Sequence, residues 1–441
     1  MSGVGLLRKV RSAVPVASPS VWLCIVANLL LRLGNSMTGV VMSLALASIS
    51  TGQREVPAYA VGMLAVSFYV VELVGAPIMG ALSDRYGRWR FMVAGPICGG
   101  IAIQLIGWPS AVLPWPILLA PMIVGRMIEG LSTAVSAPSV LSYLSLATRS
   151  NPANRAAIMA WYEMATVIGI GGGFVAGGIL WDRFGHGTFA AGTVIYVLSL
   201  LLFLRTRDAP ALADPTEAEQ ETVIQATHGA RGLLEVVRRP RVLRFLPAWL
   251  AVNTVVGVWF THSAFQLAGE RHANQYLSGG FTGTGLGGAF ALFGLAFMFG
   301  IYFWGMWIGN RSKTDVMLVT ITGLYGVCVA LFAINMLGHL GGLLMTAMIG
   351  FFLLSIAVMS GFTPAALAYL ADISEEMPEQ RGAVMGLYSV MLGLGQLLGS
   401  ALGAPFAELW AVNGLILLTA ILVTCSLFTV LALRHYDATM E

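Results

Sequence analysis

Five ionisable side chains interrupt long apolar stretches of this sequence. They are Arg32, Glu72, Arg126, Glu129 and Glu163. A charge at the centre of a bilayer costs about 2.5 to 3.5 kcal/mol, so such groups must pair with one another or face water. Two cations and three anions leave one carboxylate without a formal partner. A buried carboxylate without a partner tends to hold a proton near neutrality, so the set predicts reversible proton binding.

The stretches that carry these groups are predicted to be membrane helices. Of the 441 residues, 57% are hydrophobic and only 10% are charged, and the mean hydropathy is +0.81. A soluble domain cannot bury that composition. A helix needs roughly 20 apolar residues to cross a bilayer core. Twelve runs qualify, near 20–48, 57–82, 91–108, 117–147, 156–181, 187–204, 242–268, 287–309, 316–336, 340–372, 382–405 and 409–433. The predicted fold class is an all-α membrane protein with 12 transmembrane helices.

The two halves of the sequence repeat, which predicts two six-helix bundles related by pseudo-two-fold symmetry. A shift of 226 residues superposes Pro138 on Pro364. It also superposes two glycine stripes, Gly169, Gly173 and Gly177 on Gly395, Gly399 and Gly403. Glycine every fourth residue gives a smooth helix face, so another backbone is expected to approach each stripe closely. The predicted domains are an N-terminal bundle over 1–204, a cytoplasmic linker over 205–240 and a C-terminal bundle over 241–441.

The basic residues predict the orientation. Of the 24 lysines and arginines, 19 fall on the side of the N-terminus, three fall on the other side, and Arg32 and Arg126 lie within the membrane. The positive-inside rule then places both termini in the cytoplasm. Arg8, Lys9 and Arg11 precede the first apolar run, as in a signal peptide, but that run continues past Arg32 without a small-residue cleavage site. The predicted location is the plasma membrane, multi-pass, as in a bacterial inner membrane.

Spacing predicts how the buried charges pair. Arg32 lies 12 residues into the first run and Glu72 lies 10 before the end of the second, so both are about 15 to 18 Å deep in a helix. These two side chains are expected to pair. Arg126 and Glu129 are three residues apart and share one helix face. The alternative to a proton site is that these charges form structural ion pairs.

The segment between the second and third runs reads GALSDRYGRWR over 80–90. It resembles the loop signature of the major facilitator superfamily, G-x-L-a-D-R-x-G-R-[KR], with Trp89 and Arg90 departing at its end. The resemblance is nearest to the drug and metabolite:proton antiporter branch. Arg126 to Gly130 is similar to the family's R-x-x-x-G pattern, which in proton-coupled members goes with a buried arginine. The glycine-rich segment Gly169–Gly178 resembles the antiporter pattern, although Gly173-Phe174 replaces its Gly-Pro pair.

The resemblance implies roles for several of these residues. The loop residues Gly80, Asp84, Arg85, Gly87 and Arg88 are expected to form a conformational latch. In it, Asp84 faces the N-terminal end of the eleventh span. An anion beside a helix N-terminus is stabilised by roughly 0.3 to 1 kcal/mol, which is weak enough to reverse. Because the fourth span lines the central cavity in this family, Glu129 is the preferred proton carrier, followed by Glu72 and Glu163.

Further polar and aromatic side chains within the predicted spans are candidates for a substrate cavity. They are Asn28, Asn35, Asn253, Trp259, His262 and Tyr369. An aromatic, apolar wall opposite a charged one suits an amphiphilic organic solute, whereas the alternative is that most of these aromatic residues pack or lie at the membrane interface.

The sequence therefore predicts a proton-coupled exporter of a small amphiphilic or hydrophobic solute, acting by alternating access. Uptake or facilitated transport of a polar metabolite or organic anion is the alternative, and a non-transporting scaffold or sensor is a second. The expected partners are a small-molecule substrate, protons and lipid, with no nucleic acid, and the protein is expected to be a monomer. No enzymatic motif, cofactor motif or metal-type spacing is found, and the four cysteines are read as packing residues.

Overall fold

The structure is a computed structural model that describes residues 18–52, 56–115, 117–148, 152–206, 236–308, 311–376 and 381–440. Most of the predicted linker, and Arg8, Lys9 and Arg11, lie outside these ranges. The helices are α1 (Pro19–Gly52), α2 (Ala58–Tyr86), α3 (Arg88–Val112), α4 (Leu119–Ala147), α5 (Pro152–Phe184), α6 (Gly187–Arg205), α7 (Pro240–Ala268), α8 (Gly283–Trp307), α9 (Lys313–Leu337), α10 (Gly342–Met359), α11 (Phe362–Glu376) and α12 (Arg381–Met440).

Ten helical segments of the described ranges are long and apolar enough to cross a membrane. One of them, Leu387–Thr439, has 53 residues, about 80 Å of helix, whereas a bilayer core is about 30 Å thick. It therefore holds two spans. The helix α4 is not among the ten, because it carries Arg126 and Glu129 together with five serines. With these two points, the described helices account for the twelve predicted spans and confirm an all-α membrane protein.

The predicted tenth span, 340–372, is not one helix. It is divided into α10 and α11 at Ser360 and Gly361, four and three residues before Pro364, which has no N–H to donate. The break frees backbone carbonyls, and Trp304 Nε1 on α8 donates to two of them, Ala357 O at 3.1 Å and Val358 O at 3.0 Å. Tertiary contact therefore compensates for the lost helical hydrogen bonds.

The eleventh and twelfth predicted spans follow one another without a loop in α12. Two residues, Trp410 (φ −141°, ψ 23°) and Ala411 (φ 48°, ψ −128°), leave the helical conformation. A positive φ is uncommon for a residue other than glycine. A sharp kink between the spans thus replaces the short connection that the sequence predicted over 406–408.

The chain forms two compact units. One consists of Met1–Met42 with Val70–Asp214, and the other of Ser43–Tyr69 with Pro215–Glu441. The last turns of α1 and the first turns of α2 therefore pack within the second unit. The domain boundaries expected at 204 and 241 stay a prediction, because chain order alone does not specify which neighbours a helix end contacts.

The two glycine stripes make the predicted close contacts. In the first unit the stripe of α5 packs on α1, where a Cβ added to Gly169 would lie 2.9 Å from Arg32 Cβ. In the second unit the stripe of α12 packs on α7, where a Cβ on Gly399 would lie 2.8 Å from the carbonyl carbon of Gly257. The equivalent helices meet at equivalent positions, so the internal repeat in the sequence is also a repeat of packing.

The start of α2 is held within the second unit by a carboxylate. Glu408 Oε2 on α12 accepts a hydrogen bond from Ala58 N–H at 2.7 Å. Ala58 belongs to an apolar cluster with Val258, Ala407 and Leu415. The N–H groups of a first helical turn have no partner within their own helix, and the helix dipole favours an anion there.

We predict that Glu408→Ala lowers the free energy of unfolding by about 1 kcal/mol, because the N-terminus of α2 loses a charged hydrogen-bond acceptor. Thermal unfolding of the purified protein in detergent measures the change. Glu270→Ala, which removes an exposed glutamate of the same unit, is the control and should have an unfolding temperature close to the wild type. Equal unfolding temperatures for both variants would contradict the prediction.

Candidate functional site

The helix α4 holds an ion pair inside the first unit. Arg126 Nη1 donates to Glu129 Oε2, and their side chains are 8% and 0% exposed. The residues are one helical turn apart, so the predicted pairing is confirmed. Because neither group contacts bulk solvent to any extent, each compensates for the loss of hydration of the other.

One oxygen of this pair is left over. Glu129 Oε1 is buried and receives no hydrogen bond from the described residues. Glu72 on α2 interacts electrostatically with Glu129 and also with Arg32 and Arg126. The cluster thus combines an ion pair with a second carboxylate and an unused acceptor, an arrangement that can bind a proton.

The expected direct pair between Arg32 and Glu72 does not form, since no ion pair within 4.0 Å joins them in the described part of the chain. Arg32 lies against the Tyr162 hydroxyl of α5 and interacts electrostatically with Glu163. The reason is the contact of α1 with the glycine stripe, which brings Arg32 next to α5. Glu163 itself is exposed.

A chain of hydrogen bonds runs beside the ion pair. Asn35 Nδ2 on α1 donates to Thr133 Oγ1 on α4 at 3.0 Å, and Tyr196 on α6 donates from its hydroxyl to Asn35 Oδ1 at 2.8 Å. Asn35 was predicted, but Thr133 and Tyr196 were not. A threonine and a tyrosine within apolar runs are unremarkable in sequence, and their placement beside Glu129 depends on the packing of three helices.

The signature loop forms a compact polar cluster at the joint of α2 and α3. Asp84 Oδ1 accepts from Arg88 Nε at 2.9 Å and from Ser142 Oγ at 3.1 Å. Gly87 has φ 99°, a backbone conformation that favours glycine, so the chain can turn tightly between α2 and α3. A Cβ at Gly80 would contact Pro138 at 3.4 Å, and Arg85 lies over the Tyr86 ring, 5.4 Å from its centroid.

The predicted cavity residues are divided between the two units. In the first unit Asn28 donates to Thr166 Oγ1 at 3.0 Å. In the second unit Trp259 Nε1 donates to Thr419 Oγ1 at 2.9 Å, and His262 Nε2 donates to Ser400 O at 3.0 Å. Asn253 Nδ2 donates to Trp249 O in its own helix at 2.8 Å. These side chains form packing contacts inside their units, and their role in binding a solute stays a prediction.

Tyr369 belongs to an ionic and aromatic cluster of the second unit. Its hydroxyl donates to Asp437 Oδ2 at 3.2 Å, and Arg241 Nε donates to Asp437 Oδ1 at 3.0 Å. Next to it, Trp249 stacks on Phe362 with ring centroids 6.2 Å apart and an interplanar angle of 6°. The aromatic wall predicted for the second half is, at these positions, part of the core of that unit.

The fold and the loop cluster define a membrane transporter, and the comparison with known families agrees. The sequence model of the Major Facilitator Superfamily matches residues 24–290 and 272–439. The chain therefore belongs to the Major Facilitator Superfamily, and it is a multi-pass membrane protein with the fold of these transporters.

Individual relatives are more distant. The chain is 28% identical to the bacillibactin exporter of Bacillus subtilis (strain 168) over 116 residues, which are 26% of this chain and 27% of the exporter. It is 31% identical to protein spinster homolog 1 of Homo sapiens over 157 residues, 34% of this chain and 28% of that protein. The matches thus span between a quarter and a third of these relatives. The crystal structure of the nucleoside transporter NupG is similar in fold, with a TM-score of 0.68 and 14% identity over 94% of this chain and 98% of that one.

We predict that Arg126→Leu destabilises the protein by roughly 3 to 5 kcal/mol, because Glu129 is left buried without a cation. In this variant the folded state disfavours the ionised carboxyl, so it binds more protons than the unfolded state, and the loss of stability should grow as pH rises. Thermal unfolding in detergent at several pH values measures both effects.

Two further variants serve as controls. The double variant Arg126→Leu/Glu129→Gln should recover much of the loss, because no charge remains to be buried. Arg88→Leu breaks an ion pair whose side chains are 24% and 50% exposed and should cost about 0 to 1 kcal/mol. An Arg126→Leu protein as stable as Arg88→Leu would show that the buried pair is unimportant for the fold.

Proposed function

We propose that this chain exports a small amphiphilic or hydrophobic organic solute across the plasma membrane in exchange for protons, by alternating access. Membership of the Major Facilitator Superfamily supports transport. The bacillibactin exporter among its relatives supports the outward direction. The protein works as a monomer in the lipid bilayer, with both termini in the cytoplasm, and it is a carrier and not an enzyme.

The burial and the hydrogen bonding of Glu129 are the observations that support proton coupling. Within the described residues, this carboxylate is fully buried, forms an ion pair with Arg126 and retains one oxygen without a hydrogen-bond donor. Keeping ionisable groups inside the membrane costs several kcal/mol, which a purely structural helix would avoid by using apolar residues. Since Glu129 has no contact with solvent, a proton reaches it only after a conformational change. Alternating access provides that change and couples proton binding to solute movement.

The loop cluster supplies the second component of the proposal. Asp84, Arg88 and Ser142 are joined by hydrogen bonds, and Asp84 is half exposed. An exposed carboxylate remains available for a further partner, so we propose that this loop cluster acts as a conformational latch. Such a contact is weak in water, so the latch can open during each cycle.

We expect Glu129→Gln to fold and to bind solute but to lose the dependence of transport on a pH gradient, because glutamine is isosteric and does not titrate. The assay uses proteoliposomes with an imposed pH gradient, to which ethidium, tetracycline or uridine is added while the gradient is monitored. A solute that dissipates the gradient with the wild type should leave it intact with Glu129→Gln. Glu270→Gln, which changes an exposed glutamate outside the membrane helices, is the matched control.

Transport of an organic anion or polar metabolite is the second candidate, and Arg32 favours it. Its guanidinium lies inside the first unit, and its Nε has no hydrogen-bond partner among the described residues. For an anionic substrate, Arg32→Ala should reduce uptake into proteoliposomes at least 10-fold, whereas export of a neutral or cationic solute should depend on Glu129 instead. A protein that moves none of the solutes under any gradient would instead favour the scaffold or sensor hypothesis.

A further inference from the structure

The Tyr196 side chain ends in the polar cluster beside Glu129 although it comes from α6. It is 1% exposed, and its hydroxyl donates to Asn35 Oδ1 at 2.8 Å. The same hydroxyl oxygen lies 3.3 Å from Thr38 Oγ1. Tyr196 also interacts electrostatically with Glu129. The Tyr196 hydroxyl is therefore one of the polar groups that surround the buried Glu129 carboxylate.

Two glycines admit the tyrosine ring between helices. A Cβ on Gly34 of α1 would lie 2.9 Å from Tyr196 Cζ, and one on Gly99 of α3 would lie 2.8 Å from the same atom. Both distances are shorter than carbon atoms tolerate. The ring is thus fixed by packing from two sides, and its hydroxyl has little freedom to move.

The bond from Tyr196 sets the direction of the Asn35 amide. Because Asn35 Oδ1 accepts from Tyr196, its Nδ2 is directed to Thr133 Oγ1 at 3.0 Å. Thr133 follows Glu129 by four residues in α4, so it lies on the same helix face. Asn35 is therefore an amide donor that is committed to a residue one helical turn after Glu129, while Glu129 Oε1 has no donor among the described residues.

We infer that Tyr196 is a positioning residue for proton binding at Glu129: it holds the Asn35 amide on Thr133 and so keeps the carboxyl oxygen Oε1 free to take a proton. A hydrogen bond from an amide would stabilise the ionised carboxylate and hinder protonation. The inference rests on the proposed role of Glu129 in proton coupling. The titratable groups facing Glu129 in the described chain are Arg126 on α4, Glu72 on α2 and Tyr196 on α6.

The test follows protonation of Glu129 directly and needs no solute. Infrared spectra of the purified protein in lipid nanodiscs are recorded against pH, and the carboxyl band of Glu129 is the band that Glu129→Gln removes. In Tyr196→Phe the ring still fills the space between the glycines, but the Asn35 amide is released and can donate to Glu129. The pH at which half of the Glu129 band is lost should then fall by about half to one pH unit, the equivalent of one hydrogen bond.

A second variant releases the Asn35 amide by removing its acceptor. Thr133→Val is isosteric and removes the acceptor of the Asn35 amide, so it should also move the midpoint to lower pH. Tyr143→Phe is the control, because it removes a buried hydroxyl from α4 at a distance of about 20 Å along the helix, and it should leave the midpoint unchanged.

The possible results separate the two proposals. Midpoints of Tyr196→Phe and Thr133→Val equal to or above that of the wild type would overturn the inference while leaving Glu129 as the proton site. A Glu129 band that is absent at every pH between 5 and 9 would overturn both. Lower midpoints in both variants, combined with pH-gradient transport that Glu129→Gln abolishes, would support both.

Discussion

The cost of placing charge in a membrane is the constraint on which the first unit depends. Arg126 and Glu129 are tolerated because they neutralise each other within one turn of α4. Their pairing leaves one carboxylate oxygen without a hydrogen bond from the described residues, and Glu72 adds a second anion that interacts with Glu129. The ion pair is neutral, and the unused oxygen is the atom at which the proposed proton would bind.

The helix α4 connects this site to the signature loop. Ser142, which binds Asp84, lies 13 residues after Glu129 in the same helix, about 20 Å at 1.5 Å per residue. One continuous helix therefore carries both the buried carboxylate and a hydrogen-bond partner of the signature loop, so a tilt of α4 would displace both. Under the proposed function, this helix would couple protonation of Glu129 to the state of the loop.

Glycine stripes allow close helix packing in both units. In lipid the hydrophobic effect does not drive helices together, so small residues that allow backbone contact take its place. The stripe of α5 on α1 and the stripe of α12 on α7 use glycine at equivalent positions. In the first unit this contact also determines chemistry, because it draws Arg32 toward Tyr162 and Glu163 and away from a direct pair with Glu72.

The sequence by itself determined the features that depend on local pattern. Hydropathy predicted the membrane helices, and the spacing of three residues predicted the pair of Arg126 with Glu129. The loop motif over 80–90 indicated the family. Local spacing fixes such features because one helix turn or one tight turn contains every group involved. They needed no knowledge of which helices are neighbours.

Only the tertiary structure decided which distant groups meet. It placed Tyr196 between two glycines, set Glu408 at the start of α2, and divided the tenth span where Trp304 could bind the freed carbonyls. It also put His262 and Trp259 into packing contacts within their unit. Each of these contacts depends on the rotation and depth of one helix relative to another. The spacing of hydrophobic residues does not predict that rotation or depth, because these helices are apolar on nearly every face.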